Sequence, residues 1–132
     1  MKRYLVITFA AIALPIGGAF SLLWLFNLSS VRNTAYSERY SWVSFAGVNY
    51  GLPRAKVIEA LGAPLSTTTY SSYPVWALRS EDARNRYGRD NSIPVESAMF
   101  SMPRDSKQDF HWVEVSFGPE GTVLDTFNYI TD

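Results

Sequence analysis

The sequence contains no cysteine and a single histidine, His111. Without cysteine the chain has no disulfide framework, thiol nucleophile, thiolate zinc site or lipid attached to cysteine. Any Ser-His-Asp or histidine–metal hypothesis must use His111, and no Gly-x-Ser-x-Gly motif, calcium loop or Walker pattern supports one. These absences predict no catalytic residue, no metal site and no cofactor. They leave His111 as a residue on the rim of the domain, at the start of a strand.

Charge is missing from one long stretch and balanced elsewhere. Residues 4–28 carry no charged side chain. Because Lys2 and Arg3 are the only charges before residue 29, the rest of the chain holds ten of the 12 basic and all 12 acidic side chains. A duplex nucleic-acid binder normally shows a strongly basic face, so this balance predicts no nucleic-acid partner.

The uncharged stretch is long enough to cross a membrane. As a helix, residues 4–28 would span roughly 37 Å, compared with about 30 Å for the hydrocarbon core of a bilayer. We therefore predict a membrane anchor over residues 1–28. Lys2 and Arg3 favour a cytoplasmic N-terminus, which places the C-terminal domain of a single-pass inner-membrane protein in the bacterial periplasm. The alternative is a signal peptide cleaved after the small residues 17–19, giving a protein secreted to the periplasm.

Beyond residue 28 the pattern predicts a short tether over residues 29–34 and one domain over residues 35–132. Two helices open the domain. The first covers residues 36–48 and has an apolar face of aromatic residues that suits a core. The second lies within residues 51–64, where Pro53 occupies the first turn, Val57 and Leu61 share one face, and Gly62 follows the last turn.

Three strands are predicted after these helices, over residues 70–79, 110–117 and 122–129. The last two form a hairpin around the turn at residues 118–121. The order α-α-β-β-β predicts an α+β fold with two short helices packed on a three-stranded antiparallel sheet. Residues 80–109 are a long inserted loop between strands 1 and 2. Within it, residues 81–89 suit a helical turn or two, and residues 95–102 suit a strand extension or a cover for the core.

Several short motifs together resemble the SmpA/OmlA family of BamE-like domains. The residues that carry the resemblance are Gly51, Val57, Leu61, Gly62, Pro64, Trp76, Phe117 and Gly121. The resemblance implies the α-α-β-β-β fold and a cell-envelope location. The lipobox cysteine of the family's lipoproteins is missing here, so the N-terminal helix takes the place of a lipid anchor. The helix-helix-sheet unit is also similar to the repeat of the β-lactamase inhibitor protein family.

Arginine and aromatic residues mark the predicted partner-binding surface, because both are enriched at interface hot spots. The candidates are Arg84, Arg86, Tyr87 and Arg89 in the inserted loop, Tyr70 and Tyr73 before it, and Trp112 on the second strand. We expected the inserted loop to fold over Trp112. The sequence thus predicts a non-enzymatic module that binds a protein partner in cell-envelope assembly or maintenance. Two alternatives are an inhibitor or immunity protein that binds a specific enzyme, and a small periplasmic hydrolase that uses His111.

Overall fold

The computed structural model describes residues 29–106 and 108–130. The predicted anchor over residues 1–28 lies outside the described residues. In the ranges that are described, no helix is both long and apolar enough to cross a membrane. The described chain is α+β with antiparallel sheets, and this confirms the predicted fold class.

The elements follow one another from a short strand to a C-terminal hairpin, after a helical turn at residues 29–32. They are β1 (Thr34–Tyr36), α1 (Trp42–Ala46), α2 (Arg54–Leu61), β2 (Ser66–Pro74), a 3₁₀ turn (Val75–Ala77), α3 (Glu81–Tyr87), β3 (Ser92–Met99), β4 (Ser101–Pro103), β5 (His111–Phe117) and β6 (Val123–Ile130). The main sheet has four strands in the order β2-β3-β5-β6, and β1 pairs with β4 in a second sheet of two strands.

The β5–β6 hairpin has the predicted form. Its strands pair antiparallel with Val115 opposite Thr126, and the turn closes through a hydrogen bond from the Gly118 N–H to the Thr122 carbonyl at 3.0 Å. Gly121 has φ +72°, a backbone conformation that residues with a Cβ rarely adopt. The alternation of apolar and polar residues along β5 was a sufficient signal for this element.

The α2 helix also agrees with the prediction. Pro53 lies just before it with φ −62°, and the Gly62 N–H closes its last turn on the Ile58 carbonyl at 2.8 Å. Val57 and Leu61 have no accessible surface and pack on the sheet. Gly62 has φ +81°, and a Cβ at this position would meet the Arg39 amide nitrogen at 3.2 Å. The glycine is therefore required both for the backbone conformation and for the close approach of residues 38–39.

Both helices cover one side of the sheet, which we call the helix face. The main core lies between these helices and the sheet. Its buried members are Phe45, Val48, Val57, Leu61, Ala98, Phe100, Val113, Val115, Phe117 and Val123. Two further family-motif positions, Gly51 with φ +85° and the half-buried Pro64, lie at the two ends of the α2 segment.

The prediction of a long loop over residues 80–109 is wrong. This segment contains α3, β3 and β4, and β3 lies between β2 and β5 in the middle of the sheet. The sheet therefore has four strands rather than three. Along β3, Ala98 faces the main core whereas Ile93 and Val95 enter a second cluster on the opposite side. The two-residue period of β3 is short, because Ile93 and Val95 alternate with Pro94 and Glu96 and the buried Ser97 and Ala98 then interrupt it.

The first predicted strand is displaced, which changes the environment of Trp76. The strand begins at Ser66 and ends at Pro74, and Trp76 lies in the following 3₁₀ turn. The side chain of Trp76 is 81% exposed, and the residue does not lie in a strand as predicted. Residues 70–74 of this strand lie within the prediction, whereas the hydroxyl-rich residues 66–69 were missed because all four are exposed and provide no alternation.

The opposite side of the sheet, which we call the outer face, is only partly covered. The 3₁₀ turn and α3 pack on one end of it around Val75, Leu78 and Ala83. Asp125 of β6 fixes the start of α3, since its buried carboxylate accepts hydrogen bonds from the Arg79 N–H at 2.9 Å and the Ser80 N–H at 2.6 Å. The side chain of Ser80 in turn caps α3 at the Ala83 N–H.

The predicted tether and first helix are also corrected. Asn33 and Thr34 are buried, and Thr34 begins β1. The Asn33 side-chain amide donates to the carbonyls of residues 105, 108 and 109 at 3.0–3.1 Å, while its Oδ1 accepts from the Asp105 N–H at 2.9 Å. The helix predicted over residues 36–48 covers only Trp42–Ala46, because residues 34–36 pair with β4 instead.

We predict that Asp125→Ala destabilises the domain by about 1–3 kcal/mol, because it leaves two partly buried backbone N–H groups without a charged acceptor. Asp125→Asn keeps one acceptor and is expected to cost less. Urea unfolding of the two variants beside Asp90→Ala, an exposed aspartate near the end of α3, measures the difference. An Asp125→Ala variant as stable as Asp90→Ala would contradict this role.

Candidate functional site

The predicted site residue Trp112 lies on the outer face, as the alternation of β5 indicated. Its indole N–H donates to Glu114 Oε2 at 2.7 Å, and the Ser97 hydroxyl donates to Glu114 Oε1 at 2.6 Å. Both carboxylate oxygens of Glu114 are therefore engaged, one by a residue of its own strand and the other by Ser97 of β3. The indole is half-buried and fixed in orientation by this hydrogen bond.

Two further aromatic rings flank Trp112. The ring of Tyr129 on β6 stacks on the indole with 5.9 Å between centroids and 12° between planes, and the ring of Phe110 lies 5.6 Å away at 42°. The sequence analysis did not include Tyr129 in the site. The hairpin register contained the signal, since Trp112 and Tyr129 are directly opposite each other.

Phe127 extends the aromatic surface along β6. It lies opposite Glu114 in the register, and the Arg79 guanidinium sits 4.4 Å from the centre of its ring. This geometry is a cation–π contact, which keeps the arginine side chain flat against the sheet. Arg79 follows the 3₁₀ turn and is anchored at its backbone by Asp125.

Tyr70 and Tyr73 add the β2 end of the same surface. Their rings meet edge to face with 5.7 Å between centroids, and Tyr70 is 45% exposed. Burial raises the pKa of Tyr73, and the negative charges of Asp125 and Glu114 raise it further. We call the set the outer aromatic face; it consists of Tyr70, Tyr73, Phe110, Trp112, Phe127 and Tyr129.

The predicted arginines do not join this surface as one cluster. Arg84 turns back onto its own segment and donates to the carbonyls of Leu78 and Arg79 at 2.6 and 2.7 Å, which is a structural role. Arg86 pairs with Glu120 of the hairpin turn at 2.7 Å, and this hydrogen bond raises the pKa of Arg86. Tyr87 packs against the second cluster, whereas Arg89 is exposed.

A second group of polar aromatics surrounds His111 on the helix face. The prediction of a rim position is wrong, because His111 is 1% exposed. Its Nδ1 lies 2.7 Å from the Tyr36 hydroxyl and its Nε2 contacts Asn128 Oδ1. Since an amide oxygen only accepts, the pairing assigns the proton to Nε2, and the Tyr36 hydroxyl donates to Nδ1.

The imidazole is also covered by rings. The indole of Trp42 stacks on it with 4.7 Å between centroids and 18° between planes, although Trp42 itself is 58% exposed. Tyr36 and Tyr40 stack on each other at 4.6 Å and 6°. We call this set the histidine cluster; it consists of Tyr36, Tyr40, Trp42, His111 and Asn128.

The hydrogen-bond partners of His111 differ from those of a hydrolase histidine. In the described chain, the ring nitrogens of His111 bond to a tyrosine and an asparagine rather than to a serine and a carboxylate. The backbone N–H of His111 donates to Thr34 Oγ1 at 2.8 Å, which connects β5 to β1. The imidazole thus joins β1, β5, β6 and α1. Residues 29–106 and 108–130 contain no group of three or more potential metal-binding side chains.

Tyr40 is the exception in this cluster. Its hydroxyl is buried, and no hydrogen-bond partner for it occurs among the described residues. Burial raises the pKa of Tyr40 to about 12, with a smaller contribution from Tyr36, and burial also raises the pKa of Tyr36. The Tyr40 ring therefore contributes packing, against Phe45 and Tyr36, rather than a hydrogen bond.

Comparisons of the chain with protein-family models, curated proteins and solved structures find no match.

We predict opposite effects for the two tyrosine-to-phenylalanine substitutions. Tyr36→Phe leaves a buried imidazole nitrogen unsatisfied and should cost about 1–3 kcal/mol in the free energy of unfolding. Tyr40→Phe removes a buried hydroxyl that has no partner, so stability should be unchanged or higher. Urea unfolding at neutral pH measures both. An equal loss in the two variants would contradict the assigned hydrogen bond.

The raised tyrosine pKa values also predict loss of stability in alkali. In the folded state these hydroxyls ionise above the ordinary tyrosine pKa of 10.0, and for Tyr40 at about 12. The stability they provide is therefore complete below about pH 10 and is lost as the pH rises toward about 12. Tyr40→Phe should reduce this loss, whereas Tyr50→Phe, which changes an exposed residue, should not. Equal slopes of the free energy of unfolding against pH in the natural sequence, in Tyr40→Phe and in Tyr50→Phe would contradict the prediction.

Proposed function

We propose that this domain is a non-enzymatic interaction module that binds a protein partner through the outer aromatic face. The observation that carries the proposal is the density of aromatic side chains on the open side of an antiparallel sheet. A solvated sheet face is normally polar. Here Tyr70 on β2 and Tyr129 on β6 are 45% and 44% exposed, and Trp112 on β5, next to β6, is half-buried.

The chemistry of this face suits protein recognition. Tyrosine and tryptophan are enriched at interfaces, where they provide a large contact area at a small cost in conformational entropy. The hydrogen bond to Glu114 and the stacking on Tyr129 hold Trp112 in one orientation before binding. Preorganisation of this kind lowers the cost of association.

The proposed domain architecture is a SmpA/OmlA-like unit with an addition. The strands β3, β5 and β6 are neighbours in the main sheet, and in the chain only β4, which belongs to the second sheet, comes between β3 and β5. α1 and α2 pack on the helix face of these three strands. These five elements support the proposed α-α-β-β-β unit, with β2, the 3₁₀ turn and α3 added at one edge. Trp76 then lies in the added part, so it does not contribute to the resemblance.

The proposed location is the periplasmic side of the inner membrane, and the support for it is the uncharged sequence of residues 4–28 after Lys2 and Arg3. A module held there would act in assembly or maintenance of the cell envelope. A rigid aromatic face also fits an inhibitor or immunity protein that binds one enzyme, and the identity of the captured partner separates these two functions.

The test is partner capture by the full-length tagged protein from solubilised membranes after mild cross-linking. We expect Trp112→Ala to reduce the recovered partner by about tenfold or more, because a central aromatic anchor contributes about 2 kcal/mol or more. Trp76→Ala is the matched control, since it removes an exposed tryptophan outside the outer aromatic face. Equal recovery with both variants, when both remain folded by circular dichroism, would contradict the proposed surface.

The same membranes provide a readout for the anchor. An anchored protein stays in the membrane pellet after an alkaline carbonate wash. Release into the supernatant would contradict the anchor and would leave the comparison of Trp112 with Trp76 unaffected.

A further inference from the structure

The β2 strand is an edge of the main sheet. It pairs with β3 on one side, and the part of the chain that the structure describes places no strand against its other side. All seven residues from Ser66 to Ser72 are exposed. An edge strand presents a row of outward N–H and C=O groups that can pair with another strand.

The first half of this edge lacks the usual protection against such pairing. Natural edge strands carry charged residues, proline, β-bulges or covering segments. In β2 a bulge lies between Tyr70 and Tyr73 and Pro74 ends the strand, so residues 66–70 are the unprotected part. No charged side chain occurs between Glu59 and Arg79, which includes the whole of β2. Its residues are mainly threonine, serine and tyrosine, and threonine and tyrosine favour strands.

The other edge of the sheet is different. The start of β6 is covered, because the Val123 N–H donates to the Leu52 carbonyl and the Val123 carbonyl accepts from the Gly51 N–H, both at 2.9 Å. Pro53 and Thr122 also form an isolated bridge there. β6 contains Asp125, whereas β2 contains no charge.

We propose that β2 pairs antiparallel with β2 of a second copy of this chain. A neutral strand has no charge with which to select a different partner, whereas an identical strand offers matching N–H and C=O groups through a two-fold axis. The pairing joins two four-stranded sheets into a continuous sheet of eight strands. It uses the backbone edge of the sheet, and of the outer aromatic face only Tyr70 lies in the paired segment.

The bulge in β2 fixes the register of this pairing. The pairing with β3 is regular from Ser66 to Tyr70 and shifts between Tyr70 and Tyr73. Thr68 is the centre of the regular segment, so the two-fold axis passes beside Thr68 and places the two copies of this residue opposite each other. Thr67 then faces Thr69 of the other copy, which is a favourable cross-strand pair.

The absence of cysteine allows a direct test of this register. Thr68→Cys in the full chain, purified in detergent, introduces a single thiol that should form a disulfide-linked dimer on mild oxidation. The matched control is Thr126→Cys, which places a thiol at an exposed position on the β6 edge. We expect the dimer yield on a non-reducing gel to be at least about tenfold higher for Thr68→Cys.

A charge substitution tests the same contact without a cross-link. Thr68→Lys places two like charges opposite each other and should convert a concentration-dependent dimer into a monomer in sedimentation equilibrium, whereas Thr126→Lys should not. The proposal is overturned by a monomeric natural sequence at every concentration, by a dimer that persists in Thr68→Lys, or by equal disulfide yields. A disulfide-trapped adduct of Thr68→Cys with a different protein in cells would also overturn it, in favour of a heterologous strand.

Discussion

The alternation of side chains along β5 is the constraint on which both faces of this domain depend. The side chains of Val113 and Val115 are fully buried on the helix face. Because side chains alternate along a strand, Trp112 and Glu114 must lie on the outer face. Because neighbouring strands follow the same pleat, the register of β3 and β6 extends this division across the sheet. A slip of one residue in β5 would move the valines into solvent and bury Glu114 without its partners.

The same kind of residue has different roles on the two faces because different elements lie above them. On the helix face, α1 brings Trp42 over His111, and the polar atoms of that ring are satisfied by Tyr36 and Asn128. On the outer face, α3 and the 3₁₀ turn reach only one end, so the rings around Trp112 stay accessible. The aromatic content of the chain therefore contributes to packing on one side and provides a contact surface on the other.

The sequence predicts those elements whose signals are local. The α2 helix has Pro53 and Gly62 at its ends, and the β5–β6 hairpin has clear alternation with a glycine turn, so both were predicted within one or two residues. β3 was not predicted as a central strand because it contains Pro94 and alternates only briefly, at Ile93 and Val95; the start of β2 was missed because residues 66–69 are exposed and polar. The site was predicted only in part, since Trp112 follows from the pattern of β5 alone whereas its neighbour Tyr129 depends on the pairing of two strands.

The hydrogen bonds of Asn33 have a mechanical consequence. This one side chain fastens the beginning of the domain to residues 105–109, next to the pairing of β1 with β4. The pairing of β1 with β4 and the hydrogen bond from the His111 N–H to Thr34 Oγ1 hold the same end of the described chain. This end can therefore detach from the sheet only when contacts to residues 105, 108 and 109, to β4 and to β5 are all broken.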